Sequence, residues 1–519
     1  ATDRLDAAIF LDGVTAELLN CLSDKGRDEL RSYYDYVLEF GEVPQRWRDA
    51  LVVPVPKPKG DHSSSGGYRP VALTSLLCRT LERIVLRRIL DKIVLSPRQF
   101  GFRRATGTEE PIVLLAHAIE DGLRHEAHDS TAATVGTSSG TRIFRTVAVG
   151  VDMKDAFCRV SLDLVMSEYD TANGPSEYRR FLWSFLSGRR QRVRFGNAAS
   201  DLVELPLGTP QGSVLGPFLW SLAAESLIRE VGEVVDKPTV GRTGFPETSR
   251  GAKRPSVCPP WTGMLMYADD GVMWWTGRRT AGLLREANRA LRVFGCWSQK
   301  HFIDVSPKSR ATLFAPQSGY EVKDDVNALA ANPLVCRGIS IPMSPTLPTL
   351  GVVFDSKFSW SDHVTGLLEK CSVILAKLER LQRITSPATF ASLYYGSCLS
   401  KILHGASIWF PRASKGLQDG VEALHAKGAR LITACVASAR NSAVLAESGM
   451  RTVGCMAQCR GAQLAEKILR RSPDCPARYR LEHLDAGNLK EKAPAASSDN
   501  AVAVVGPPEP LHDSAIACL

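Results

Sequence analysis

Two adjacent aspartates, Asp269 and Asp270, lie between two hydrophobic runs of the sequence. Residues 264–266 precede them and residues 272–275 follow them. Such runs on either side of a short polar segment predict a β-hairpin with both carboxylates at its turn, where a pair of metal ions could be held. The ordinary interpretation of adjacent aspartates at a turn is a solvated loop, and the pair alone does not exclude it.

A third aspartate, Asp152, follows a hydrophobic run at residues 147–151 that predicts a buried strand. If that strand neighbours the hairpin, the three carboxylates lie within a few ångström of one another. Because clustered carboxylates repel one another, such a group requires a cation. Mg²⁺ suits oxygen ligands and shares its coordination with substrate phosphates. Two such ions about 4 Å apart would activate an attacking oxygen and stabilise a leaving one.

The elements that must position these aspartates begin with a predicted sheet near the N-terminus. Residues 50–56 and 68–74 are predicted to be strands, and a basic loop at residues 57–67 joins them. Because prolines interrupt the first strand, it is predicted to lie at the edge of its sheet.

Further along, a turn at residues 208–212 is followed by a predicted helix that extends to about residue 235. Residues 125–141 are rich in Ser, Thr, Ala and Gly and predict a loop, whereas residues 236–260 resemble an insertion. Residues 348–354 are predicted to be a single strand.

The composition of the 519-residue chain is that of a globular protein with a basic balance. Hydrophobic residues make up 44% and charged residues 23%, and the formal net charge is +9. This length allows several domains, and the positive charge permits a polyanionic partner without requiring one. The 13 cysteines form no short disulfide framework, which predicts reduced, intracellular thiols. The sequence shows neither a membrane-spanning run nor a signal peptide, and its first residue, Ala1, indicates a fragment or a processed product.

Three segments occur in the order Asp152-Met-Lys-Asp-Ala-Phe157, Gly208-Thr-Pro-Gln-Gly212 and Tyr267-Ala-Asp-Asp270. This ordered set resembles motifs A, B and C of reverse transcriptases. The basic loop ahead of Tyr68-Arg-Pro70 resembles their fingers motifs, and residues 301–308 resemble motif D. Any one motif is weak, but the full set in this order is highly specific.

Two more segments narrow the resemblance. Leu350-Gly-Val-Val353, with Phe358, Trp360 and His363, is similar to motif E of non-LTR, LINE-type retrotransposon enzymes. Residues 98–103 are similar to an extra segment that these enzymes have between fingers and palm. The slightly longer segment at residues 96–104 is basic with two interleaved Phe residues, and we expect it to contact a single nucleic acid strand through charge and stacking. The alternative is a surface loop whose two Phe side chains are buried. The kinetoplastid members are the nearest group that the sequence suggests.

The resemblance implies an α+β fold, a right-hand polymerase with fingers, a palm built on an antiparallel sheet and a helical thumb. Residues 1–42 would be an N-terminal helical extension, and residues 43–356 the fingers and palm, with the insertion at about 236–260. Residues 357–450 would be the thumb-like helices. Residues 451–519 would be a C-terminal extension whose tail, from about residue 493, is expected to be disordered.

The resemblance implies catalytic roles for the motif residues. Asp152, Asp269 and Asp270 are the expected catalytic acids and ligands of two Mg²⁺ ions, with Mn²⁺ as the alternative. Phe157 is expected beneath the sugar, where its ring would clash with a ribose 2′-OH and favour deoxynucleotides. Lys308 is expected to donate a proton to the leaving pyrophosphate.

The same resemblance implies contacts to the incoming nucleotide. Lys57 and Arg69 are expected to contact the triphosphate. Lys59 competes with Lys57 for this role, because the length of the loop blurs the alignment. Gln211 and Gly212 are expected to border the nucleotide and the template.

The implied function is RNA-directed DNA polymerisation, in which element RNA is copied into DNA by two-metal-ion nucleotidyl transfer. The expected partners are an RNA template, a DNA primer and deoxynucleoside triphosphates, and no membrane. An endonuclease and other modules are expected on the rest of a polyprotein, and the expected location is intracellular, in the nucleus at the site of integration.

Two alternatives stay open. Cys158 stands where LINE-type enzymes commonly have Asp, which leaves open a catalytically inactive RNA-binding remnant. The other alternative is a group II intron-type reverse transcriptase. Its maturase or DNA-binding module is not evident after the predicted thumb.

Overall fold

The computed structural model describes residues 12–58, 60–124, 144–237, 262–315 and 321–471, together with residues 475 and 478. The predictions for Lys59, for the loop at 125–141, for all but the start of the insertion at 236–260 and for the tail after residue 493 lie outside these residues.

The N-terminal part of the chain combines helices with a pair of strands. Its elements are α1 (Ala16–Asn20), α2 (Asp24–Phe40), α3 (Gln45–Arg48), β1 (Asp49–Pro56), β2 (Tyr68–Leu73), α4 (Leu76–Leu90) and α5 (Glu109–Arg124). Helices α1, α2 and α4 each begin after a Ser or Thr whose side-chain oxygen accepts a backbone N–H of the first turn. Such caps satisfy donors that the helix itself leaves unpaired.

The middle of the chain contains the longest strands and helices around the predicted acidic residues. These elements are β3 (Arg145–Lys154), α6 (Ala156–Arg159), α7 (Leu162–Thr171), α8 (Ser176–Leu186), β4 (Arg189–Phe195), β5 (Ala198–Ala199), β6 (Val203–Leu205), α9 (Gly216–Asp236), β7 (Thr262–Tyr267), β8 (Asp270–Gly277), α10 (Thr280–Lys300), β9 (Asp304–Val305) and β10 (Arg310–Phe314).

Strand β1 lies inside its sheet, so the predicted edge position is wrong. β1 pairs antiparallel with β2 along its whole length and parallel with β4 at Asp49–Val52. Pro54 and Pro56 lie beyond the part that β4 covers and face only β2. Their missing N–H groups therefore interrupt no bond to β4, and the prolines do not force the strand to an edge.

A second sheet has the strand order β10-β3-β8-β7, and all of its neighbouring strands are antiparallel. β9 pairs with the last residues of β3. One hydrophobic core lies between this sheet and helices α9 and α10, and it buries Trp220, Trp275 and Trp297 completely or nearly so. Because β3 has neighbours on both sides, its carboxyl end is fixed by packing as well as by hydrogen bonds.

The remaining described elements are small strand pairs followed by helices. They are α11 (Glu321–Ala331), β11 (Leu334–Cys336), β12 (Ile339–Ile341), β13 (Thr346–Thr349), β14 (Val352–Asp355), α12 (Ser361–Glu379), α13 (Pro387–Tyr394), α14 (Ser400–Ile402), α15 (Ala406–Trp409), α16 (Lys415–Thr433), α17 (Asn441–Glu447) and α18 (Val453–Leu469). A second core, which includes buried Trp360 and Trp409, joins helices α12 to α18 to α5 and to the β13–β14 pair.

The single strand predicted at residues 348–354 is wrong, because the chain reverses within it. Leu350 and Gly351 have φ values of 50° and 87°, and β13 pairs antiparallel with β14 across them. Two consecutive positive φ values are typical of a tight hairpin turn, which an apolar run of this length conceals. None of the described helices is long and apolar enough to cross a lipid bilayer.

Candidate active site

The predicted acidic hairpin is present, and it consists of β7, β8 and a two-residue turn. Tyr267 and Asp270 are the last paired residues of the two strands, and Ala268 and Asp269 form the turn between them. Ala268 has a φ of 58°. Because this left-handed conformation costs an L-residue roughly 1–2 kcal/mol, neighbouring contacts must hold the turn.

Asp152 lies directly opposite Asp270 in the register between β3 and β8. Its backbone is held by two serines of the segment that joins β9 to β10. The Asp152 N–H donates to Ser309 Oγ at 3.1 Å, and the Ser306 N–H donates to the Asp152 carbonyl at 2.8 Å. The motifs in the sequence indicate no role for either serine, although Ser-Pro-Lys-Ser is a sequence typical of a turn.

Burial and the repulsion among the three aspartates raise the pKa values of both hairpin aspartates. Burial raises the pKa of Asp269, and the charge of Asp152 raises it further, although a backbone hydrogen bond opposes these effects. Burial raises the pKa of Asp270 to about 6, and Asp269 and Asp152 both add to this shift. Asp270 is exposed to solvent as a whole residue. The protein around its carboxylate nevertheless restricts the hydration of that group. The site therefore disfavours three simultaneous negative charges unless a cation is present.

The donor set of this site suits a hard divalent cation, because all three side chains offer carboxylate oxygens. Among the residues that the structure describes, no Lys or Arg forms an ion pair with Asp152, Asp269 or Asp270. In the same residues, no group of three or more His, Cys, Asp or Glu side chains has an arrangement that could hold a metal ion as it stands. The chemistry and the uncompensated charge fit a cation, and the carboxylates would have to turn towards one another to bind it.

The segment at Gly208–Gly212 joins the region after β3 to the first sheet, which has the strand order β2-β1-β4-β5 with β6 beside β4. The Thr209 N–H donates to the Phe157 carbonyl, and the Ala72 N–H donates to the Gln211 carbonyl at 2.7 Å. Gly212 has a φ of 129°, and a Cβ there would lie 2.5 Å from the Ala72 carbonyl oxygen. Only glycine fits this combination of backbone angle and close approach.

The side chain of Gln211 points towards α6, the short helix that follows β3. Its amide donates to Cys158 Sγ at 3.4 Å. Cys158 is exposed, and Gln211 is half-buried. The cysteine that departs from the LINE-type pattern thus contacts another predicted site residue.

Phe157 is half-buried in α6, and two aromatic rings contact it. The ring of Trp220 lies 5.7 Å from its centroid in a tilted arrangement, and Phe102 meets it edge-on at 6.0 Å. Trp220 is fully buried, whereas Phe102 is 48% exposed. Phe157 therefore lies at the boundary between the core and an open surface, which is compatible with contact to a substrate.

The two predicted triphosphate contacts lie near each other at the end of the β1–β2 pair. Arg69 is exposed on β2, and it has no acidic partner among the described residues. The ammonium of Lys57 instead donates to the Gly66 carbonyl at 2.9 Å within the loop. Lys308 is exposed in the turn between Ser306 and Ser309, next to the serines that hold Asp152.

The segment at residues 98–103 is largely internal, which is contrary to its predicted contact with a single strand. Arg98 is buried and forms an ion pair with Asp236 at 2.7 Å. Gln99 and Phe100 are also buried, and Phe102 alone among its aromatics is exposed. The alternative of two buried Phe side chains is thus correct for one ring.

Residues 55–329 match the family of reverse transcriptases, described as RNA-dependent DNA polymerases. The match covers more than half of the chain. It includes all three aspartates and both larger sheets apart from most of β1, which begins at Asp49. The chain belongs to this reverse transcriptase family.

Curated relatives from Drosophila melanogaster support the same assignment. The chain is 24% identical to the probable RNA-directed DNA polymerase from transposon BS, over 85% of this chain and 44% of that protein. It is 24% identical to the probable RNA-directed DNA polymerase from transposon X-element, over 81% and 41%, and 23% identical to the RNA-directed DNA polymerase from mobile element jockey, over 82% and 41%. The chain thus spans less than half the length of these relatives.

Among solved structures, an apo telomerase from Candida tropicalis, truncated from its C-terminal domain, is similar with a TM-score of 0.36 and 10% identity. This likeness covers 64% of this chain and 58% of that one.

The predicted membership of the reverse transcriptases of non-LTR retrotransposons is confirmed by the family match and the curated relatives. The kinetoplastid origin stays a prediction.

Proposed function

We propose that this protein is an RNA-directed DNA polymerase that extends a DNA primer on an RNA template. The observation that supports this activity is the position of Asp152 opposite Asp270, with Asp269 in the adjoining turn, in a chain of the reverse transcriptase family. The substrates are deoxynucleoside triphosphates, and the template is the RNA of the mobile element that encodes the protein.

Asp152, Asp269 and Asp270 would hold two divalent ions, with Mg²⁺ as the natural ion and Mn²⁺ as a substitute. When bound, such ions activate the attacking oxygen and stabilise the leaving one. The raised pKa of Asp270, caused first by burial, supports this role, because a cation would offset the repulsion. The protein holds the backbones of Asp152 and Asp270 on two paired strands and that of Asp269 in the adjoining turn, so that only the side chains would have to turn to bind the ions.

The incoming nucleotide would lie between the acidic site and the first sheet. Arg69 would bind the triphosphate as an exposed cation without an acidic partner among the described residues. Lys57 would have to leave the Gly66 carbonyl to share this role. Phe157 would support the sugar. Lys308 would donate a proton to the leaving pyrophosphate.

The border of the nucleotide site on the template side would be Gln211 and Gly212. This role is supported by the contact of the Gln211 side chain with Cys158 in α6 and by the Ala72 N–H that donates to the Gln211 carbonyl, because these bonds join the region after β3 to β2. Gly212 is exposed, so a base or sugar would be able to lie against its backbone there.

The right-hand division of the chain is part of the same proposal. Residues 43–356, which include both larger sheets, would form the fingers and palm, and residues 357–450 would form the thumb. Residues 1–42 and 451–519 would be extensions. The presence of an endonuclease and other modules elsewhere in a longer polyprotein, and action in the nucleus at the site of integration, stay predictions.

The proposed activity is tested by extension of a DNA primer on an RNA template with the purified chain and Mg²⁺. The wild type should incorporate deoxynucleotides, and Asp152→Asn or Asp269→Asn should abolish incorporation, because each removes a charge from the metal site. RNA binding should be retained in both variants. Asp201→Asn, on an exposed loop, is the matched control and should remain active.

The same assay distinguishes an active polymerase from a catalytically inactive remnant. A wild-type chain that binds RNA but never extends the primer would be the inactive remnant. Substantial synthesis by either aspartate variant would overturn the assignment of the acidic site.

A further inference from the structure

Residues 98–101 run alongside β7, the first strand of the acidic hairpin. The Phe100 N–H donates to the Met266 carbonyl at 2.8 Å, and the Met266 N–H donates to the Arg98 carbonyl at 2.8 Å. Gln99 forms a parallel bridge with Met266. These residues therefore cover the free edge of β7 just before the catalytic turn.

The side chain of Gln99 is fully buried, and both ends of its amide contact the turn. Its Oε1 accepts the N–H of Ala268 at 3.1 Å and the N–H of Gly101 at 2.9 Å. Its Nε2 lies 3.4 Å from the Ala268 carbonyl, to which it donates. One side chain thus binds both backbone groups of the residue that precedes Asp269.

The backbone of Ala268 is also the part of the turn that needs support. Its φ of 58° lies in the left-handed region that non-glycine residues rarely adopt. Gly101 packs so closely on Ala268 that a Cβ at residue 101 would overlap the Ala268 nitrogen. The absence of a side chain at residue 101 allows the 98–101 segment to reach the turn.

The segment that presents Gln99 is itself fixed at several points. Arg98 forms its buried ion pair with Asp236, and Arg103 donates to the Gln99 carbonyl at 3.1 Å. The hydroxyl of Thr106 donates to the Phe100 carbonyl at 2.8 Å. Because the Gln99 backbone is held on both sides, its amide has little freedom to move away from the turn.

We propose that Gln99 is a positioning residue for the acidic site. It fixes the conformation of Ala268 and thereby the direction in which the Asp269 carboxylate leaves the turn. Gln99 does not contact nucleic acid, since its side chain is 0% exposed. The effect on synthesis rests on the proposed function of Asp269, whereas the effect on the turn does not.

The variants that test this role are Gln99→Met and Gln99→Glu. Methionine has a similar length and volume but cannot make the three hydrogen bonds, whereas a glutamate retains an acceptor for the two N–H groups. Thr106→Val is the matched control, because it removes hydrogen bonds from the same segment without touching the turn.

The first measurement is amide hydrogen exchange in the metal-free chain, resolved at Ala268 and Gly101. In Gln99→Met, both amides should exchange about tenfold faster or more, because they lose their acceptor. Gln99→Glu should retain most of the protection, and Thr106→Val should leave the Ala268 amide unchanged. Unchanged exchange at Ala268 in Gln99→Met would overturn the proposal, whether or not the chain synthesises DNA.

The second measurement is primer extension as a function of Mg²⁺ concentration. Gln99→Met should lower kcat by about ten- to a hundredfold, because a displaced catalytic group loses alignment. The Mg²⁺ concentration for half-maximal rate should rise, while the nucleotide KM stays within about twofold. If Thr106→Val lowers both kcat and Tm as much as Gln99→Met does, Gln99 only stabilises the fold and the positioning role is wrong. If the wild type does not extend primers, the proposed function fails, and hydrogen exchange alone still decides whether Gln99 holds the turn.

Discussion

Asp152 and Asp270 face each other as direct cross-strand neighbours at the end of the β3–β8 pair. Like charges in this position destabilise an antiparallel pair of strands. The raised pKa of Asp270, due first to burial and then to Asp269 and Asp152, agrees with that repulsion. The end of this sheet is therefore less stable without a cation than its hydrophobic core would suggest.

The first prediction concerns stability without metal. In the presence of a chelator, Asp270→Asn should have a higher Tm than the wild type at pH 8. The pKa of Asp270 is about 6 in the folded state, whereas an unfolded Asp has a pKa near 3.9. The folded state therefore binds more protons between these values, and wild-type stability falls as pH rises through this window.

Thermal melts of both proteins across pH 4 to 8 test this prediction. The advantage of the variant should shrink as pH falls below about 6 and vanish near 4, where residue 270 is uncharged in both folded proteins. Added Mg²⁺ should raise the Tm of the wild type more than that of the variant, because only the wild type retains all three ligands. A variant no more stable than the wild type at pH 8 would show that the pair exerts no net repulsion.

The second prediction concerns sugar selection at Phe157. If its ring excludes a ribose 2′-OH, Phe157→Val should retain deoxynucleotide incorporation and admit ribonucleotides much more readily. If the ring only packs on Trp220, the change should destabilise the fold by roughly a few kcal/mol and lower both activities together.

The ratio of kcat/KM for paired ribo- and deoxynucleotides distinguishes these outcomes. Phe181→Val is the control, because Phe181 is fully buried in α8. This substitution should lower the stability of the fold without changing the ratio of kcat/KM for ribo- and deoxynucleotides. An unchanged ratio in Phe157→Val would exclude the steric role.

The third prediction concerns Arg69 on β2. Arg69→Ala should raise the nucleotide KM and lower the rate, because charge develops on the phosphates in the transition state. Template affinity should barely change. Arg69→Lys should recover part of the loss, since it retains the charge but not the bidentate geometry.

Steady-state kinetics and RNA binding by the same proteins provide the test. Arg179→Ala removes an exposed arginine that pairs with Asp170 and should leave both properties unchanged. A loss of template affinity with a constant nucleotide KM would show that Arg69 contacts nucleic acid instead.

The fourth prediction concerns the close approach at Gly212. Gly212→Ala should destabilise the fold by about 2–4 kcal/mol, through the positive φ and the overlap with the Ala72 carbonyl. Gly196→Ala is the control, because its φ is 58° but no atom lies within 4 Å of the added methyl group. The control should cost only about 1 kcal/mol. Chemical denaturation measures both, and equal losses would show that the contact to Ala72 is unimportant.

The sequence by itself determined the family, the acidic hairpin and most of the strand and helix positions. These features are local, because hydrophobic alternation around Asp269 and Asp270 specifies a hairpin, and a run of apolar residues before Asp152 specifies a buried strand. The ordered motifs added the family, which composition and charge left open.

Three features could be determined only from the tertiary structure. They are the position of β1 in its sheet, the β13–β14 hairpin and the role of residues 98–101. Pro54 and Pro56 suggested an edge strand, but whether they disturb a sheet depends on how far β4 extends beside them. The basic residues and two interleaved Phe residues at 96–104 suggested contact with a nucleic acid strand. The structure instead buries Gln99 against the turn at Ala268. This contact joins segments that are far apart in the chain, so the local sequence could not predict it.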